Sequence, residues 1–263
     1  MKISPNDHYY SKKPKSPLKI NKIFTSIGPI AISLETSTGV FSKDEIDKGT
    51  RFLLEYLILP KISRKLLEHE NNHLNILDLG AGYGPVSIYT YKKLKQLFSK
   101  KVQQLNNQKK FEKQEKISAE FDEKIRIYAS EINERALWLL NRNIIANNCK
   151  KIEIMKGDFL QTIEKVLHNQ QEPTSFKFSA IYTNPPLKLG HKYLLKLFEK
   201  AFNLLNTEDP TSFVQYVHKK SLGAQGFMKK VKKLRPNWHF HIIKKVSGYF
   251  IILVSPHKFV PEY

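Results

Sequence analysis

Cysteine is almost missing from this 263-residue chain. Cys149 stands alone, so no internal disulfide can form, and the chain suits a reducing cytoplasm. Beside Asn147-Asn148 at an expected helix end, Cys149 reads as structural or incidental. Long apolar runs are missing too: none reaches the roughly 18 residues that a bilayer span needs. Met1–Lys15 is polar and has no apolar signal core, so neither a membrane anchor nor export is expected. Arginine is scarce, six of the 44 basic residues, and acidic residues number only 24. The resulting net charge of +20 points to a polyanionic partner, most simply nucleic acid. Lysine bias alongside many Asn and Ile is also what an AT-rich genome produces, whereas phosphate readers often lean on arginine forks. Charge alone leaves both readings open.

With 41% hydrophobic and 26% charged residues, the chain has the composition of a globular protein with a sizeable core. Residues 1–16 read as a flexible or extended arm. Leu18–Phe24 and Pro29–Glu35 read as two strands joined by a turn at Thr25–Gly28. A helical pattern follows from Asp47 to Leu59, stopped by Pro60. From Leu74 onward strands alternate with helices. The strands fall at 75–79, 125–130, 151–155, 178–183, 212–217, 239–244 and 249–254. The helices fall near 85–97, 134–147, 192–205 and 222–234. This alternation predicts an α/β fold with a mostly parallel sheet covered on both faces. The short link at Val246–Gly248 predicts an antiparallel hairpin at the sheet edge, and the first strands a small N-terminal β cap. Residues 1–60 are assigned to that cap and 61–263 to the main domain. The latter carries a basic insertion at about 92–124, where Lys92–Lys116 holds nine lysines and two acids. That stretch either extends the helix into a charged hairpin or stays disordered.

Four expected strand tips carry polar groups on the sheet edge where open α/β sheets bind ligands. The first is Asp78-Leu79-Gly80-Ala81-Gly82-Tyr83-Gly84-Pro85. Gly80 and Gly82 let backbone pass close to a ligand. The pattern is G-x-G-x-G-P rather than the G-x-G-x-x-G of a pyrophosphate site. Asp78 ahead of it suits a cationic or amine-bearing ligand, which argues against a nicotinamide oxidoreductase. Glu131, at the second tip, can accept the two hydroxyls of a ribose. Asp158-Phe159, at the third, offer an acid and an aromatic edge where an adenine could lie. The fourth tip is Thr183-Asn184-Pro185-Pro186. Two prolines remove backbone donors, lock φ and push Asn184 towards extended geometry. The result is a stiff elbow whose amide and carbonyls suit gripping an exocyclic NH2 group.

In this order the four tips resemble those of class I S-adenosylmethionine-dependent methyltransferases. The resemblance narrows with Tyr9-Tyr10-Ser11, Thr38-Gly39-Val40-Phe41-Ser42, Asp47-x-Gly49-Thr50-Arg51 and Asn184-Pro-Pro-Leu-Lys-x-Gly190-His-Lys192. Lys219-Lys220-x-x-Gly223-Ala224 and Ser247-Gly248-Tyr249 extend it. Together they are similar to the small-subunit ribosomal RNA guanine-N2 methyltransferases (the RsmC type) in their short, single-domain form. The likeness covers about residues 9–256 and skips the basic insertion.

That resemblance implies a Rossmann-like seven-stranded sheet with an antiparallel edge strand, and S-adenosyl-L-methionine as cofactor. It implies ribosomal RNA or the small ribosomal subunit as partner, with no metal. Asp78, Gly80, Gly82, Glu131, Asp158, Phe159, Thr50 and Asn184 would hold the cofactor. Asn184, Pro185 and Pro186 would be catalytic, and Phe41, Leu187, Lys188 and Lys192 would contact the substrate. Leu187 stands where many amine methyltransferases place an aromatic ring to stack the target base. Its presence disfavours DNA adenine or protein glutamine methylation and agrees with guanine N2. Another amine (adenine N6, a protein side chain) and a non-catalytic RNA-binding module are the alternatives.

Overall fold

The computed structural model describes residues 12–69, 72–105, 114–157 and 177–258. Strands β1 (Ile20–Ile27) and β2 (Ile30–Ser37) form a separate antiparallel hairpin. Helices α1 (Lys48–Glu55) and α2 (Arg64–Glu68) lead into the main sheet. That sheet contains β3 (Leu74–Leu79), β4 (Ile125–Glu131), β5 (Ile152–Lys156), β6 (Ala180–Thr183), β7 (Phe213–Lys219), β8 (His239–Val246) and β9 (Tyr249–Ser255). Its order is β5-β4-β3-β6-β7-β9-β8, parallel except where β9 runs against both of its neighbours. The reversed strand thus lies one place in from the edge, and β8 is outermost. The chain steps from β3 outward to β5, then returns to lay β6 on the other side of β3. A switch of this kind leaves a crevice at the strands' carboxyl ends, between the β3 and β6 tips.

Helices cover both faces because nearly every residue of β3, β4, β6 and β7 is buried. One face packs under α1, α3 (Pro85–Leu105), α4 (Gln114–Lys124) and α5 (Glu134–Ala146), through Leu53, Leu94, Phe98, Phe121 and Leu140. The other packs under α6 (Gly190–Leu204) and α7 (Ala224–Leu234), through Leu194, Phe198, Phe227 and Val231.

The hairpin is fastened to this body by side chains that imitate a strand. The Asn143 amide accepts from Glu35 N at 2.6 Å and donates to Glu35 O at 2.8 Å. Asn147, one turn later, donates to Ser33 O at 2.7 Å. Two amides four residues apart, one on α5 and one at its C-cap, therefore meet residues two apart on β2, the spacing of alternate strand positions. The segment expected as a flexible or extended arm is anchored at several points from Lys12 onward. Arg135 donates to Ser16 O at 2.7 Å and Thr38 O at 2.7 Å, and Glu134 N donates to Lys12 O at 2.9 Å.

Several elements differ from the sequence pattern. Strand β1 runs through Thr25–Ile27, so the hairpin turn is Gly28-Pro29 and not Thr25–Gly28. Helix α1 ends at Glu55, not Leu59, because side chains of the sheet capture the backbone that would continue it. Gln215 Oε1 accepts from Ile58 N at 3.0 Å, Gln215 Nε2 donates to Tyr56 O at 2.8 Å, and the Tyr182 hydroxyl donates to Ile58 O at 2.6 Å. Helix α2, capped by Ser63, was not expected at all. In the basic insertion, α3 runs on to Leu105 and α4 packs back on it, while 106–113 lie outside the described residues. Phe121 meets the Tyr91 and Phe98 rings edge-on at 5.1 and 5.6 Å. Lys92, Lys93, Lys95, Lys100, Lys101 and Lys116, within the described residues, stand on helices that have an apolar seam between them.

Candidate active site

The crevice between the β3 and β6 tips is an open cleft of about 860 Å³, counted out into its mouth. Asp78, Gly80, Gly82, Glu131, Asn184, Pro185, Pro186, Phe41 and Thr50 all line it. Nine of the expected site residues, from five separate stretches of sequence, thus share one wall system.

The β3 side is built by backbone. Gly80 N and Ala81 N both donate to Ser130 O, at 3.0 and 2.9 Å, which bolts the glycine turn to the tip of β4. Gly82 takes φ +58°, and a Cβ there would meet nothing within 4 Å, so backbone alone faces the open cleft. The Glu131 carboxylate is nearly buried and accepts three backbone N–H groups. Gly82 N lies 2.9 Å from Oε2, and Ile132 N and Asn133 N lie 2.7 and 2.8 Å from Oε1. Burial raises its pKa, and those three donors oppose the rise. Two carboxylate oxygens hold about four acceptor sites, so capacity remains for a ligand hydroxyl.

Asp78 is also buried. Its Oδ2 accepts the Ser87 backbone N–H at 2.9 Å and the Ser87 hydroxyl, which secures the first turn of α3. Burial pushes its pKa up to about 7, against the pull of the Ser87 bonds, and the Glu131 charge adds to the rise. An acid so poised gains strongly from a nearby cation.

The β6 side is built by side chains. Thr183 Oγ1 donates to Leu79 O at 2.8 Å and holds the two tips together. Asn184 Nδ2 donates to Asp47 Oδ2 and to Thr50 Oγ1, both at 2.9 Å. Both hydrogens of the amide nitrogen are thereby used, so Oδ1 is what the side chain can offer a ligand. Leu189 N closes on Pro186 O at 2.9 Å and starts a single 3-10 turn, Leu187–Leu189, before α6.

The roof is the loop 38–46. Phe41 lines the cleft with 38% of its surface exposed, and Tyr83 donates to Ser42 O at 3.3 Å from the floor. Tyr83 itself is buried, which with the Asp47 charge raises its pKa.

Three expected residues do not line the cleft. Leu187 is half-buried against the core beneath α6, and Lys188 and Lys192 stand exposed on the 3-10 turn and the start of α6. Tyr9–Ser11, Asp158 and Phe159 lie outside the described residues. Among the described residues no group of three or more His, Cys, Asp or Glu could hold a metal, and no helix is long and apolar enough to cross a membrane.

Asp47 stands in the Asp47-x-Gly49-Thr50-Arg51 motif with no role of its own legible in the sequence. Its D-x-G-T spacing is a helix N-cap signature, which marks a helix start without naming a partner 137 residues away. Val86, Ile132 and Ala136, which give the cleft apolar walls, carried no signal beyond helix and turn periodicity.

Comparison with known proteins adds the following. A family described as "Methyltransferase small domain" matches residues 31–112 and 116–244. "Uncharacterized protein YbxB" of Bacillus subtilis (strain 168) is 26% identical over 249 residues, 94% of this chain and 97% of that one. Among solved structures, the T. thermophilus 16S rRNA N2 G1207 methyltransferase (RsmC) in complex with AdoMet and guanosine superposes with a TM-score of 0.59 at 18% identity. It matches 92% of this chain, which spans about half (52%) of that structure's length.

Proposed function

The chain belongs to the methyltransferase small domain family, and from that premise we propose that it methylates the exocyclic N2 amine of a guanine in small-subunit ribosomal RNA. The cofactor is S-adenosyl-L-methionine, and the cleft suits it. It offers a Cβ-free glycine turn, a carboxylate with acceptor capacity for a ribose hydroxyl, and a buried acid beside which a cation is favoured. When bound, that cofactor supplies an electrophilic methyl on a positively charged sulfur.

The observation that carries the reading is the Asn184 amide, locked so that only its carbonyl end is on offer. Guanine N2 is a weak nucleophile because its lone pair is delocalised into the ring. Hydrogen bonds from the NH2 to Asn184 Oδ1 and to the Pro185 carbonyl favour a pyramidal nitrogen with its lone pair aimed at the methyl. No strong base is needed, since the nitrogen's proton turns acidic as positive charge develops. Fixed acceptors then supply positioning and charge stabilisation without reorganising. Phe41 closes over base and cofactor from the roof. Lys188 and Lys192, exposed beside the elbow, contact RNA phosphates, and Leu187 backs the elbow from the core side. A base in a helix must be flipped out or met before the RNA folds fully.

The choice of guanine N2 draws support from the fold-level likeness to the T. thermophilus enzyme and from the aliphatic Leu187 after the elbow. In this reading residues 1–60 cap a methyltransferase domain spanning 61–263. The test is transfer of labelled methyl from the cofactor to naked small-subunit RNA, assembled subunits, DNA and protein. Label in RNA or subunits is expected; label confined to DNA or protein overturns the proposal.

A further inference from the structure

The Asn184 grip works only if its amide faces one way, and we propose that Asp47 is the residue that sets that direction. This rests on the reading of Asn184 as the acceptor for the target amine. A side-chain amide has two ends of nearly equal shape. Turned over, Asn184 would present NH2 to an incoming NH2, donor against donor, and the grip would fail.

Two groups hold the amide nitrogen, and they differ in what they permit. Thr50 Oγ1, 2.9 Å from Asn184 Nδ2, belongs to a hydroxyl that can accept or donate. Alone it would satisfy either orientation. Asp47 Oδ2, also at 2.9 Å, belongs to a carboxylate that only accepts, so it tolerates the NH2 end and rejects the carbonyl end. The same oxygen accepts Thr50 N at 3.1 Å as the cap of α1, which fixes where the carboxylate sits. Gly49 allows this contact by size. A Cβ there would come within 2.9 Å of Asp47 Oδ2, 3.2 Å of Tyr249 Cε1 and 3.5 Å of Asn184 Nδ2. The carboxylate also polarises the amide through its N–H, which strengthens Oδ1 as an acceptor. Its negative charge lies beside the place where positive charge develops on the substrate nitrogen. Asp47 is thus a positioning residue acting through Asn184.

The variants separate orientation from folding. Asp47→Asn keeps an oxygen facing Thr50 N and therefore the amide direction, while losing charge. Asp47→Ser keeps a helix cap but substitutes a short hydroxyl that can serve either amide end. In nitrogen-15 spectra of the wild type, the Asn184 side-chain NH2, assigned by its loss in Asn184→Ala, is expected to exchange slowly with water. Asp47→Ser should remove that protection and Asp47→Asn should keep most of it. In methyl transfer, Asp47→Ser should lower kcat on the order of 100-fold, the scale of one lost preorganised contact, with KM for the cofactor within about threefold. Asp47→Asn should recover at least tenfold of that loss. An Asn184 amide equally protected in Asp47→Ser overturns the proposal, as does a kcat within threefold of wild type. So does cofactor affinity that falls in step with kcat. Should the wild type methylate no RNA, the functional reading fails while the amide spectra still decide the orientation claim.

Discussion

Glu131 and Asn184 face each other across one cleft and are held by opposite means. Glu131 sits in a cage of backbone N–H groups, two from its own turn and one from Gly82. Asn184 is held by two side chains from a helix start 134 and 137 residues earlier. Backbone donors are present whatever residues surround them, so the first arrangement follows from a glycine turn packing on a strand tip. Side-chain partners must be specified and then delivered by the fold. The Glu131 side is therefore insensitive to most neighbouring substitutions, and the Asn184 side, the target side in the proposed reaction, can be dismantled one residue at a time.

The comparison breaks most visibly at the target side. Asn184→Ala should lower turnover on the order of 1,000-fold, the upper scale for one preorganised polar contact. Cofactor affinity in calorimetry should stay within about threefold. At Glu131 the pattern inverts. Glu131→Gln sets an amide NH2 against at least one backbone N–H in its cage, leaving a buried donor unpaired at about 2 kcal/mol. That penalty falls on the fold; the cofactor loses instead a charge-assisted bond from its ribose to the carboxylate, also about 2 kcal/mol, and should bind roughly 30-fold more weakly, with a turnover defect that saturating cofactor largely removes.

Asp78 sharpens the same contrast through pH. Its folded pKa of about 7 lies above the unfolded value of 3.8, so its protonation stabilises the cofactor-free fold at low pH. That contribution is fully present below the unfolded value and is lost as pH rises through about 7. A cationic cofactor selects the ionised carboxylate and must displace the proton. Affinity should then fall by up to tenfold per pH unit from 7 towards 5. Asp78→Asn should flatten that slope, and calorimetry across buffers reads the proton release directly. The smallest effect is expected outside the cleft. Lys188→Ala and Lys192→Ala should each weaken RNA binding a few-fold and reduce its salt slope by about one unit, leaving cofactor affinity alone.

The difference between the two walls is also the difference between what the sequence displayed and what it hid. Asp78, the glycine turn and Glu131 could be read from order and spacing, because each stands at the end of a strand: Asp78 closes on Ser87 nine residues later, and Glu131 on the two residues that follow it and on Gly82 in the neighbouring turn. Asn184 could be read as a rigid acceptor because two prolines follow it. Asp47 carried only the mark of a helix cap, since its meaning depends on a contact made by tertiary packing. Helix α1 stops early for a similar reason: Gln215 and Tyr182, distant in sequence, take over its backbone groups. The basic insertion looked solvated by composition, and its seam of Tyr91, Phe98 and Phe121 emerges only when α3 and α4 are paired.

The central claim is that the Asn184 elbow holds a guanine amine during methyl transfer. The most direct measurement digests RNA methylated by the wild-type protein and identifies the modified nucleoside by mass and chromatography. The account predicts N2-methylguanosine, absent when Asn184→Ala is used. 6-Methyladenosine as the product, or N2-methylguanosine formed at full rate by Asn184→Ala, would contradict it.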